Sequence, residues 1–260
     1  MNWSAVEVSI LLPAFLAGLL VLATHVPLGI HVLRRGIVFI DLAIAQIAGL
    51  GVIVAGLMDI EAGGWQVQAA AALAALAGSL LLTWTERKWP EVQEAQIGVV
   101  FVLAATGGIL LLAKNPHGGE YLRDLLAGQI LWVGYRQLLV PLGVSVVTLA
   151  VLWSLRGKLS QLVFYVVFAV AVTASVQLIG VYLVFATLIV PALGARLLAP
   201  RARLILAYAI GVLGYAAGLV LSSALDLPSG ALIVWCLAIL AIAAYAASAL
   251  KAMPGAATSS

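Results

Sequence analysis

Apolar runs of about 20 residues follow one another along almost the whole of this 260-residue chain, with no polar domain between them. That is the length an α-helix needs to cross the roughly 30 Å hydrocarbon core of a bilayer. Charged residues make up only 9% of the chain and hydrophobic residues 65%, against about 25% charged in a soluble domain. A soluble fold of this size has too little interior to hide so much apolar surface, whereas lipid is itself an apolar solvent. The sequence therefore predicts an all-α fold, a polytopic transmembrane helix bundle. It forms a single transmembrane domain over residues 1–250, with a short tail at 251–260.

Nine candidate spans fall at roughly 8–33, 37–58, 65–84, 96–113, 137–155, 160–178, 181–198, 204–225 and 230–249. The first contains Pro27, so a kink or an irregular piece is expected there. The sixth and seventh almost touch at Gly180. Taken as one broken helix with a re-entrant piece, they lower the count to eight. The N-terminal stretch MNWSAVEVS has no basic n-region, so the first apolar run is expected to stay as a span. Segment 114–136 reads as an outer loop followed by a short amphipathic or re-entrant helix. No convincing internal repeat is visible, which weighs against a transporter built from inverted halves.

The net charge of +3 does not point to nucleic acid, because the thirteen Lys and Arg are scattered through short loops without interleaved aromatics. Their placement reads as topology. Arg34, Arg35, Arg87, Lys88, Arg156, Lys158, Arg196, Arg201, Arg203 and Lys251 follow odd-numbered spans, while only Lys114, Arg123 and Arg136 lie on the other side. The positive-inside rule then puts the N-terminus outside and the C-terminus in the cytoplasm. The lone cysteine, Cys236, lies in an apolar run and reads as a small packed hydrophobe.

Asp41 is the most informative residue. It sits in VFIDLAIAQIAGLG near the cytoplasmic start of the second span. A carboxylate at the centre of a span costs about 2.5–3.5 kcal/mol on insertion scales, less near an end, and such groups usually face a cavity or pathway. The competing reading is a helix-start carboxylate favoured by the dipole and paired with Arg34 or Arg35. Gln46, five residues on, lies about 140° around a regular helix, and only a π-bulge would bring it closer. Glu94 opens the fourth span as a solvated helix-start carboxylate or as part of a cytoplasmic exit. Gln129, Gln177 and Thr187 are candidates for polar glue between helices.

His25, His31 and His117 show no zinc-site spacing. Weak, transient oxygen and nitrogen ligation along a pathway remains open to them, and His117 reads as a solvated loop residue. The only Gly-Lys pair, Gly157-Lys158, lacks the rest of a Walker loop, so ATP is not expected to bind here. No hydrolase motif is present either.

Several segments together resemble the permeases of bacterial ABC-type importers for zinc, manganese and iron. They are PLGIHVLRRGIVFIDLAIAQIAGLG at 27–51, EAQIGVVF at 94–101, YLRDLLAGQIL at 121–131, IGVYLVFATLIVPALGARLLA at 179–199 and LDLPSGALIV at 225–234. Most of the chain is covered, in order. The resemblance implies a homodimeric permease in the plasma membrane, a cytoplasmic ATP-binding cassette ATPase and an extracytoplasmic metal-binding protein. It implies a divalent metal ion, zinc first, as transported substrate, with no cofactor bound permanently and no enzyme activity in this chain.

In the family an Asp and a His of the second span are associated with the pathway. Asp41 matches the Asp. The His is replaced, by Ala45 with no gap or by Gln46 with one extra residue. Asp41, Gln46 and Glu94 are the implied metal pathway. Segment 190–203 resembles the coupling region, with Pro191, Ala192, Arg196 and Arg201 in a short helix that docks on the ATPase. The rival readings are an ATPase-independent secondary transporter or channel for a cation, and a membrane scaffold. The topology is checked by replacing Cys236 with Ala and adding single cysteines. An impermeant maleimide applied to intact cells should label Ser4→Cys and leave Ser259→Cys unlabelled.

Overall fold

The computed structural model describes residues 8–58, 64–113, 115, 118–128, 130–155 and 160–252. Asp59, Glu61, Lys114, His117, Gln129, Arg156, Lys158 and the tail beyond Ala252 lie outside them. Among the described residues there is no strand. The chain forms α1 (Val8–Arg35), α2 (Ile40–Leu57), α3 (Trp65–Lys88), α4 (Gln93–Leu112) and the short α5 (Gly118–Ala127). It continues with α6 (Leu139–Leu155), α7 (Gln161–Ile179), α8 (Val181–Gly194), α9 (Pro200–Leu225) and α10 (Ser229–Ala252).

Eight helices are long and apolar enough to cross a membrane, and α8 is a shorter apolar helix. At 14 residues it extends about 21 Å, less than the hydrocarbon core. The chain does break at Gly180, into one full-length span and one shorter helix. Gly180 has φ +80°, a conformation that L side chains rarely adopt. Its N–H closes α7 on the Val176 carbonyl (2.8 Å), and its own carbonyl receives Val184 N–H (3.1 Å) to open α8. Gly128, just after α5, presses against the backbone of Ile179 and Gly180, where a Cβ would have no room. Segment 114–136 thus does carry a short helix, braced on the α7–α8 break. Pro27 produces no irregular piece: α1 runs helical through both Pro13 and Pro27.

Two groups of helices flank α7. In one, α2 packs on α3 where Gly51 meets Ala70 and Ala74 and where Gly78 meets Ile47. In the other, α1, α8, α9 and α10 pack through Gly29 on the Leu188 carbonyl, Gly211 on Leu22, Gly214 on Leu237 and Gly218 on Ile233. Gly211, Gly214 and Gly218 of α9 thus pack closely on two different partners, α1 and α10. Small residues permit such approach, and in lipid the gain comes from contact, because lipid tails are as apolar as leucine. The outer faces are equally apolar: Leu110 is 75% exposed and Ile205 70%.

Gly218 gives a direct check. A Cβ there would meet backbone atoms of Ile233, so Gly218→Val should destabilise the bundle by roughly 1–3 kcal/mol. Gly143, with nothing within 4 Å, should accept Ala without loss. Thermal unfolding of the purified protein in detergent reads both.

Candidate functional site

The chain leaves α1 through Gly36, whose φ of +73° is in the left-handed region, and α2 starts four residues later. Asp41 is therefore in the first turn of α2, among its free backbone N–H groups. The side chain is only 1% exposed, and no other side chain bonds either carboxylate oxygen; the groups that face it are the backbone N–H of Asp41 and Leu42 at the helix start. The expected pairing with Arg34 or Arg35 is not formed. Arg35 instead lies over the Phe164 ring, 4.5 Å from its centroid, and His31 stacks on the same ring at 6.1 Å.

Glu94 comes to the same helix start from α4. Its Oε1 accepts the Phe39 N–H at 3.3 Å, while its Oε2 is buried without a partner. Glu94 is thus neither a simple solvated carboxylate nor remote from Asp41: it caps α2 two residues before it. Gln93 beside it donates Nε2–H to the Tyr165 hydroxyl at 2.9 Å, tying α4 to α7. Nothing in the helical pattern singles out that pair, since neither residue interrupts it.

Gln46 is not brought into this group. Helix α2 is α-helical throughout Ile40–Leu57, so the bulge that would carry Gln46 toward Asp41 is absent. The residue one turn above Asp41 is Ala45, 1% exposed. Gln46 is half-buried on another face, about 7.5 Å further along the axis. Phe39 also stacks on Phe185 of α8, with ring centroids 6.5 Å apart, so three helices meet at the start of α2.

Among the described residues no three His, Cys, Asp or Glu side chains gather as a metal site. His25 is fully buried, with Nδ1 3.0 Å from both the Val21 carbonyl and Thr24 Oγ1. The arrangement at α2 is a buried carboxylate at the positive end of a helix dipole, with a second carboxylate, Glu94, bonded to the backbone two residues before it.

The predicted coupling region lies between α8 and α9. Pro191 and Ala192 are buried in the last turns of α8. Residues 195–199 form turns and no separate helix, because Gly194 ends α8 and Pro200 starts α9. Arg196 and Arg201 are exposed. Arg196 Nη2 donates to the Tyr245 hydroxyl at 3.0 Å. Arg203 Nη2 donates to the Arg196 and Leu198 carbonyls at 2.7 and 3.2 Å, which fixes the turn to α9. Thr187 does act as interhelical glue, sharing a 2.7 Å hydrogen bond with Tyr215, whereas Gln177 Nε2 has no partner.

A family model described as the ABC 3 transport family matches residues 7–164 and 150–248 of this chain. The chain belongs to the ABC 3 transport family. Two similar proteins are a manganese transport system membrane protein, MntC, of Halalkalibacterium halodurans and a high-affinity zinc uptake system membrane protein, ZnuB, of Haemophilus influenzae. The first is 26% identical over 80% of this chain and 76% of that protein. The second is 23% identical over 89% of this chain and 95% of that protein. The fold is also that of a chain in the structure of PsaBC from Streptococcus pneumoniae in complex with Fab. There the TM-score is 0.72 at 19% identity, covering 91% of this chain and 90% of that one. This ABC 3 family member is accordingly a multi-pass protein of the bacterial plasma membrane.

The cap on α2 is testable in this family member. Glu94→Gln keeps an acceptor for Phe39 N–H. Glu94→Ala removes it and should cost about 1 kcal/mol, the usual loss for a helix cap. Melting temperatures of the two variants should differ in that order.

Proposed function

We propose that this chain is the permease subunit of an ATP-binding cassette importer that carries divalent transition-metal ions into the cytoplasm. The observation that carries the proposal is Asp41: a buried carboxylate with no side-chain or cationic partner, in a bundle of a transport family. An unpaired charge inside a membrane protein is expensive, and a cation that visits the site offsets that cost.

The metal follows from the donors. Asp41 and Glu94 supply carboxylate oxygens, and the position one turn above Asp41 is Ala45, which supplies nothing. Oxygen donors suit manganese better than zinc, which takes imidazole and thiolate more readily. Relatives named for both metals leave room for either, and iron belongs to the same class of substrate. A pathway with few ligands also lets the ion leave again, as transport requires.

Hydrolysis of ATP is assigned to a separate cytoplasmic ATPase that docks at the α8–α9 turn, where Arg196 and Arg201 are exposed. An extracytoplasmic metal-binding protein delivers the ion. A second copy of this chain completes the pathway. A groove of about 620 Å³ lined by Trp132, Tyr182, Phe185, Leu227 and Trp235 offers an apolar face for it. Eight full spans alone would leave both termini on one face, so assigning the N-terminus to the outside and the C-terminus to the cytoplasm requires the short α8 to carry the chain across as well.

The test is uptake into proteoliposomes holding the permease and its ATPase, with manganese, zinc and iron in competition. Manganese should compete best. Asp41→Asn should lower uptake at least tenfold, which corresponds to about 1.4 kcal/mol, with expression and ATPase association unchanged. Uptake undiminished in Asp41→Asn would remove the basis of the proposal.

A further inference from the structure

Two prolines interrupt the hydrogen-bond ladders of α1 and α8. A proline lacks the N–H that would bond the carbonyl four residues back. Pro27 therefore frees the carbonyl of Ala23, and Pro191 that of Thr187. In a membrane a freed backbone group needs a partner from within the protein.

At both places a tyrosine of α9 arrives. The Tyr208 hydroxyl donates to the Ala23 carbonyl at 2.9 Å. The Tyr215 hydroxyl lies 2.7 Å from Thr187 Oγ1. Thr187 spends its own proton on the Leu183 carbonyl at 2.6 Å, so Tyr215 is the donor. The Tyr215 ring fits against Gly18 of α1, where any side chain would collide with it. The two tyrosines are seven residues apart, close to two turns, and so share one face of α9. Tyr208 satisfies the carbonyl that Pro27 has freed, while Tyr215 holds the side-chain hydroxyl of the residue whose carbonyl Pro191 has freed.

The base of α9 is just as firmly attached to the α8–α9 turn, through the Arg203 bonds to Arg196 and Leu198. Both gripped helices lead to the start of α2. Helix α1 does so along the chain through Gly36, and α8 does so through the Phe185–Phe39 stack. We propose that Tyr208 and Tyr215 are positioning residues that carry movement of the α8–α9 turn into α1 and α8, and thereby to Asp41. The proposal rests on the importer role given above.

The proline logic supplies a sharp test. In Tyr208→Phe the ring stays and only the bond to Ala23 is lost. In Pro27→Ala the new N–H takes the Ala23 carbonyl, so the link from Tyr208 is already broken and coupling falls there too. Manganese taken up per ATP hydrolysed should fall about fivefold in Tyr208→Phe, the factor one net hydrogen bond represents, while ATP hydrolysis continues. On the Pro27→Ala background, Tyr208→Phe should add no further loss. Normal coupling in Tyr208→Phe, or an equal loss on both backgrounds, overturns the proposal.

If the wild-type complex moves no metal, the importer role fails by itself. The same four proteins are then compared by melting temperature as purified permeases. Non-additive shifts uphold the grip of Tyr208 on the proline break, and additive shifts overturn it.

Discussion

In a bilayer the contact of one apolar side chain with another gains little over its contact with lipid. Cohesion has to come from backbones brought very close together and from the few polar bonds that lipid cannot provide. The protein shows both. Gly29 lies on the Leu188 carbonyl and Gly218 on the backbone of Ile233. Ser145 donates to the Leu20 carbonyl at 3.3 Å, and Gln93, Thr187 and Tyr208 join helices far apart in sequence. The arrangement of α1, α8, α9 and α10 depends on these contacts, since their outward faces are as greasy as their inward ones.

That same constraint explains what was legible in the sequence. The spans were, because length and hydropathy are set by the membrane. Gly180 marked a break, because almost nothing separates the runs on either side of it, whereas the end of the second run at Gly194 came from the structure. The packing glycines of α9 were visible as a series, although the two partners they serve were not, since outward and inward faces have the same chemistry. The tyrosines of α9 escaped attention. Pro27 and Pro191 would have revealed them, had each proline been read as a carbonyl left without its donor.

At the start of α2 the sequence placed Asp41 in a span, and burial bears that out. It suggested an ion pair with Arg34 or Arg35, which fails because Arg35 rests on Phe164. It also left open whether Gln46 could stand in for a histidine. That depended on one bulge, and a helix as regular as α2 has none. The place of Glu94 came only from the tertiary fold, which sets the first turn of α4 beside Phe39.

The knuckle of Gly128 against Gly180 has a consequence for how the chain enters the membrane. Helix α8 is too short to be recognised as a stop or start of translocation by itself. Helices α7 and α8 are joined by Gly180 alone, and the segment after α5 packs against it. The contact can form only after both helices have been synthesised, although Gly128 is made before either of them.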